Sequence, residues 1–164
     1  MRKAEINRKT KETEIQLSLN LDGKGESSIS TPFGMLTHML EQISKHGSID
    51  LDIKVIGDTE TGSHHVVEDT AIVLGEAFDK ALGDRAGIER MADSTVPLDE
   101  SLSMVAIDLG GRGYHSVEIL PSNQMGDFPT DMARHFFETL AVETKMALHI
   151  KTISGKNEHH IIES

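Results

Sequence analysis

The chain repeats itself. ETEIQLSLNLDGKG at Glu12 to Gly25 aligns with ESLSMVAIDLGGRG at Glu100 to Gly113 at an offset of 88, placing Leu21 on Leu109, Gly23 on Gly111 and Lys24 on Arg112. HMLEQISKHGSIDLDIK from His38 aligns with HFFETLAVETKMALHIK from His135 at an offset of 97, and HHVVED at His64 to Asp69 with HHIIES at His159 to Ser164 at an offset of 95. The order strand, helix, strand, HHxxE therefore occurs twice, with loop insertions and deletions accounting for the changes of offset. A duplicated unit constrains the fold more than any local propensity, because it fixes where symmetric elements and sites lie.

Alternating apolar residues predict strands at about 14–21, 26–31 and 50–57, and helical spacing predicts helices at about 34–46 and 65–82, with the same elements again in the second copy. In the second of these helices Ala71, Val73, Leu74, Ala77, Phe78 and Leu82 recur at helical spacing before Gly83, a C-terminal stop. The expected class is α+β, with tandem duplicated half-domains at 1–86 and 87–164, each a sheet covered on one face by two helices, forming one integrated domain. A linker without strong periodicity is expected near 83–98. The chain reaches Ser164 where the second HHxxE helix should begin. The repeat thus predicts a last helix of about four turns that the second half lacks, and such a chain is expected to bind metal weakly and turn over little.

Composition removes several classes of function. Sixteen basic against 27 acidic residues give a net charge of -11, which excludes a general nucleic-acid or anionic-membrane surface and leaves phosphate to a few local cations. There is no cysteine, so disulfides, thiolate metal sites and cysteine nucleophiles are absent and the chemistry rests on histidines, carboxylates and hydroxyls. No run approaches the roughly 18 apolar residues of a membrane span, and MRKAEINRKTKETE lacks the apolar stretch of a secretory signal, so a cytoplasmic location is expected.

The nine histidines carry the chemical signal. On a helix, His64 and Glu68 at i and i+4 share a face, while His65 projects about 100° away, so one HHxxE can serve two metal positions. Each HHxxE follows a helix-borne histidine by 26 or 24 residues, His38 before His64 and His135 before His159. Six repeated histidines with Glu68 and Glu163 supply two metals with about three histidines and one glutamate each, leaving open positions for substrate. Without thiolate the ligand set leans toward Mn or Fe.

With these segments assembled, the chain resembles the imidazoleglycerol-phosphate dehydratase family of histidine biosynthesis, through RKTKET, LDGKG, HML followed by KHG, HHVVED, GDRAGIER, PLDESL, DLGGRG, RHFFETLA, LHI and NEHHIIE in the family's order. The resemblance implies a duplicated fold of the ribosomal protein S5 domain 2-like type. It implies self-association to a 24-subunit shell, or a smaller assembly without metal or C-terminus, and two Mn2+ per active site at subunit contacts. It implies a lyase that dehydrates imidazole glycerol phosphate to imidazole acetol phosphate, through an imidazolate bridging two Mn ions and a diazafulvene, with an acid/base group moving a carbon-bound proton. By position, His38, His64, His65, Glu68, His135, His159, His160 and Glu163 carry over as metal ligands. Glu12 carries over as acid/base and substrate contact, His46 as a pocket position, and Arg90 and Arg112 as phosphate ligands; His38, His64 and His135 also face substrate. Asp99 and Glu100, the latter the counterpart of Glu12, are pocket supports. His115 and His149 are structural or exposed.

The sequence departs from the family's pattern in places. Thr37 stands where an aspartate usually precedes the first ligand histidine, Pro32 stands for a glycine, and GGRG at Gly110 to Gly113 replaces SGRP. The ligand set alone also fits a di-metal hydrolase with a bridging hydroxide, which a product assay separates. A metal-binding, shell-forming protein without catalysis is the other alternative, and would show metal-dependent assembly without dehydration.

Overall fold

A computed structural model describes residues 1–119 and 128–164. The first copy contains β1 (Lys3–Lys9), β2 (Thr13–Asn20), β3 (Ser27–Ser30), α1 (Gly34–Gly47), β4 (Asp50–Gly57) and α2 (His64–Leu82). The second contains β5 (Met91–Leu98), β6 (Ser101–Asp108), β7 (Tyr114–Glu118), α3 (Thr130–Thr144), β8 (Ala147–Ser154) and α4 (Glu158–Glu163). Each forms a four-stranded sheet, in the orders β1-β2-β4-β3 and β5-β6-β8-β7, with only the last pair of each parallel. The fold is α+β and duplicated, as the repeat requires. Among the described residues no helix is long and apolar enough to cross a membrane.

Alternation builds the first sheet. In β2, Ile15, Leu17 and Leu19 point inward, and in β4 Leu51, Ile53 and Val55 do the same. Helix α2 lays Val66, Val67, Ala71, Val73, Leu74 and Ala77 on them, all fully buried. The same apolar cluster continues into Ala133, Phe136, Leu140 and Ala141 of α3 and Leu148 and Ile150 of β8, so both copies share one core.

The map read from periodicity needs two corrections, both at outer strands. Residues 91–98 are not linker but β5, and residues 3–9 form a strand, β1, that periodicity did not mark. Only Ala4 of β1 is buried and nearly all of β5 is exposed, so their apolar alternation is weak. Backbone pairing with β2 and β6 holds them instead, and Pro97 is tolerated because β5 lies at a sheet edge. They are repeat counterparts, for Leu21 N–H donates to the Arg2 carbonyl as Leu109 N–H donates to that of Arg90.

Helices α2 and α3 come from different copies and approach closely. A Cβ on Gly75 would lie 2.5 Å from Glu143 Cβ and 3.1 Å from the Thr144 nitrogen, so only glycine permits this contact. Below it Asp79 joins Arg85 and Lys145, and Arg85 also donates to the Thr144 carbonyl. Burial alone would raise the Asp79 carboxyl. The hydrogen bonds and charges of Lys145 and Arg85 outweigh it and hold the carboxyl below its ordinary range. Its contribution to stability is therefore present above the unfolded carboxyl pKa and lost as pH falls through the lower folded value. Asp79→Asn is expected to cost about 1–3 kcal/mol at neutral pH, with the difference from wild type shrinking in acid. Thermal melts across pH check this, and a pH-independent difference would contradict it.

On the second sheet the apolar face is more open. A cavity of about 730 Å3 runs between α1 and that sheet, lined among others by Met39, Ile43, Val105, Ile107, Phe137 and Ile162. The pseudo-symmetric place on the first sheet is filled by the 19 residues of α2, whereas α4 has six.

Candidate metal centre

The HHxxE segments both start helices. Helix α2 begins at His64 and α4 at Glu158, where the Asn157 side chain accepts from the amides of His159 and His160 at 3.0 and 3.4 Å, a regular N-cap. Helical spacing then brings His64 Nε2 to 3.5 Å from Glu68 and His159 Nε2 to 2.6 Å from Glu163.

A third ligand joins each pair, and it comes from the other copy. His135 of α3 stacks on His64 with ring centroids 4.8 Å apart, and its Nε2 lies 3.6 Å from Glu68. His38 of α1 stacks on His159 at 5.5 Å, with its Nε2 3.6 Å from Glu163. The clusters are thus His64, Glu68, His135 and His38, His159, Glu163, with the donor atoms of each within 4.8 Å of one another. Two donors opposite each other on one ion at bond lengths near 2.1 Å stand about 4.2 Å apart, so each set fits a single divalent cation with little movement. His135 Nε2 is buried and has no hydrogen-bond partner. An imidazole nitrogen buried without a hydrogen-bond partner beside a carboxylate and a second imidazole has the chemistry to ligate a metal. Two nitrogens and one oxygen without sulfur suit Mn, Fe or Zn.

His65 and His160 turn away from these clusters. His65 is exposed, its ring edge-on to His64 at 6.0 Å. His160 Nδ1 lies 2.8 Å from Glu100 and its Nε2 3.7 Å from Asp99. Glu100 also accepts from the amides of Lys156 and Asn157 at 3.1 and 2.7 Å. The Asn157 amide foremost, with His160, holds the Glu100 carboxyl down to about 2, and Glu100 in turn raises His160 above the ordinary imidazole value. Glu100 and Asp99 thus orient a histidine. The counterpart Glu12 behaves differently, since its carboxylate makes no hydrogen bond or ion pair among the described residues. Its backbone is held, with the carbonyl accepting from Asp58 N–H at 2.9 Å and the amide donating to Thr10 Oγ1 at 3.2 Å.

The expected phosphate ligands lie elsewhere on the chain. Arg90 makes a two-pronged pair with Asp108 at 2.5 and 2.8 Å, and Arg112 is near enough to help lower the Asp108 carboxyl. Asp108 closes the end of β6 opposite Glu100, about 25 Å away at the rise of a strand. The arginines and the α4 end of the site therefore do not meet within one chain.

His46 is exposed on the last turn of α1, and its Nε2 is 3.2 Å from Gln42 Oε1. Gln42 Nε2 is 3.3 Å from His38 Nδ1, so Gln42 bridges a candidate ligand and a candidate pocket residue. The sequence reading passed over Gln42, although its signal was the i, i+4, i+8 run His38, Gln42, His46 on one helix face. Thr37 does not take the supporting place of the family's aspartate, because its hydroxyl pairs with Thr31 at 3.0 Å. His115 approaches Glu138 at 3.7 Å, and His149 lies beside Tyr114, both outside the clusters.

The chain matches the imidazoleglycerol-phosphate dehydratase family over residues 31–164. It is 49% identical to the imidazoleglycerol-phosphate dehydratase of Dehalococcoides mccartyi strain 195, over 99% of this chain and 82% of that protein. It is also 49% identical to that of Methanococcoides burtonii, over 100% and 86%. Among solved structures it resembles imidazoleglycerol-phosphate dehydratase from Staphylococcus aureus, with a TM-score of 0.88 and 31% identity over 98% of this chain and 90% of the other. It also resembles the Pyrococcus furiosus structure in complex with (S)-C348, at 0.84 and 30% over 96% and 85%.

Proposed function

The chain belongs to the imidazoleglycerol-phosphate dehydratase family, and we propose that it dehydrates imidazole glycerol phosphate to imidazole acetol phosphate in histidine biosynthesis, with two Mn2+ held by its histidines and glutamates. The observation that carries this reading is the pair of two-histidine, one-glutamate clusters, each drawn from both copies of the repeat. His64, Glu68 and His135 hold one ion, and His38, His159 and Glu163 the other. His65 and His160 point out of these clusters and serve as ligands toward a neighbouring subunit.

The chemical obstacle is that no carbonyl stands beside the carbons that react. When bound, the two ions supply the missing acidity by drawing electron density from the imidazole ring. Once the ring N–H proton is gone, the hydroxyl on the ring-adjacent carbon leaves with a proton as water, giving a diazafulvene. Glu12 then takes the hydrogen from the next carbon, and the resulting enol becomes the ketone when a proton returns to the ring-adjacent carbon. One water is lost and no oxidant is needed. An acid/base carboxylate must be free to take up a proton, and Glu12 meets that condition where its counterpart Glu100 is bound by three donors. His46 adds a polar contact at the pocket edge.

Arg90 and Arg112 bind the phosphate, using the guanidinium fork for which that anion is the matching partner. Since they stand far from α4 in the same chain, a neighbouring copy completes the site, which is the reason for self-association to a shell. Arg90→Ala is expected to raise KM about tenfold or more with kcat less affected, by steady-state kinetics; an unchanged KM removes Arg90 from the phosphate site. The reading as a whole is tested by assaying imidazole acetol phosphate formation with Mn2+ and after chelation. Product with Mn2+ and its loss on chelation are expected. No product from fully metal-loaded protein would overturn the reading.

A further inference from the structure

Asp69 follows the candidate ligand Glu68 but takes no part in either cluster. It is 8% exposed and gathers three donors from the hairpin that carries Glu12. Thr13 Oγ1 donates to its Oδ2 at 2.5 Å, Arg8 Nε to its Oδ1 at 3.1 Å, and Thr10 Oγ1 to Oδ2 at a longer 3.4 Å. Thr10 Oγ1 in turn accepts from the amides of Glu12 and Thr13 at 3.2 and 2.9 Å. A buried carboxylate on the first turns of α2 thus holds the turn between β1 and β2 from both sides, with Glu12 at its tip.

The second copy lacks this arrangement. At the repeat offsets Asp69 corresponds to Ser164, Arg8 to Val96 and Thr10 to Leu98, and Ser164 instead lies 2.8 Å from Ser103. There the glutamate is immobilised through its own carboxylate, by Lys156, Asn157 and His160. The first copy immobilises the backbone beneath Glu12 and leaves the carboxylate free. An ion pair exposed on its arginine side is weak evidence for stability as such, and its presence under the glutamate without a hydrogen-bond partner, with no counterpart in the second copy, points to another purpose.

We propose that Asp69 is a positioning residue for Glu12, tying the acid/base turn to the helix that carries His64 and Glu68 so that proton acceptor and metal keep a fixed separation. The inference rests on the reading of Glu12 given above. It also explains why Glu12 can act without a hydrogen-bond partner, since the turn supplies the order that a partner would.

The test is a double-mutant cycle in the full chain loaded with Mn2+, combining Asp69→Ala with Glu12→Gln. Dehydration is followed long enough to measure residual turnover, and bound metal is measured alongside. A displacement on the order of 1 Å costs about 10- to 100-fold in kcat, so Asp69→Ala is expected to lose that much with KM changed less than about threefold and metal content unchanged. In the Glu12→Gln background the same substitution is expected to cost less than about twofold, because the group it positions is gone. An equal factor in both backgrounds, lost metal, or wild-type kcat in Asp69→Ala overturns the assignment. If Asp69→Ala does not fold, Thr13→Val deletes the shortest of the three bonds and carries the same cycle with the same outcomes. Normal turnover of Glu12→Gln by itself overturns both the reading of Glu12 and this inference, and is recognised because it appears with Asp69 intact.

Discussion

Replacing Glu12 by Gln is expected to lower kcat by about 10²- to 10⁴-fold, the range over which a positioned acid/base group contributes, while bound metal and melting temperature stay at wild-type values. The two readouts separate because of how Glu12 is attached. Its carboxylate makes no hydrogen bond or ion pair among the described residues, and what holds the turn is backbone and neighbouring side chains, through the Glu12 amide to Thr10 and the Glu12 carbonyl from Asp58. Glutamine keeps the shape and removes only the ability to accept a proton. The corresponding Glu100→Gln should do the reverse, disturbing the start of α4 and His160 before it touches the proton transfer, since Glu100 binds two amides and an imidazole. Turnover near wild type in Glu12→Gln would remove the residue from the chemistry.

His135→Ala is expected to lower affinity for one of the two ions by more than about 100-fold, beyond the 10- to 100-fold typical of groups that only support a ligand. The crossing of copies makes the test sharp. His135 shares its cluster with His64 and Glu68, and His38 shares its cluster with His159 and Glu163. His135→Ala and His64→Ala should therefore abolish the same ion, with no further loss of metal in the double variant. His135→Ala and His38→Ala act on different ions and should add. Elemental analysis of single and double variants decides between this and pairing within each copy, where His38 and His64 would be the non-additive pair. Additivity between His135 and His64 would contradict the geometry.

Much of the fold was legible because its signals are local. The alternation in EIQLSL and DLDIKV marks the two central strands of the first sheet, and the apolar stripe from Ala71 to Leu82 marks α2. The outer strands β1 and β5 were missed for a physical reason. They pack little against the core, and their stability comes from hydrogen bonds to a neighbouring strand, which any residue with a free amide can make. Gln42 and Asp69 were missed because a single polar residue on a helix has many uses until its neighbours in space are known.

The sequence by itself determined which residues are the candidates for the chemistry and part of their local geometry: His64 with Glu68 and His159 with Glu163 must converge wherever those segments are helical, because four residues make about one turn. It also determined that whatever one copy builds, the other nearly builds again. Only the tertiary structure decided how the sets combine. His38 and His64 lie in the same copy, 26 residues apart, yet they face different partners, because α2 meets α3 across Gly75 and that contact carries His135, not His38, to Glu68. Contacts within each half, between residues far apart along the chain, likewise decided that Glu100 is bound while the Glu12 turn is held through its backbone and neighbours. These are contacts between residues distant along the chain, set by which apolar faces must be buried together, and no local spacing specifies them.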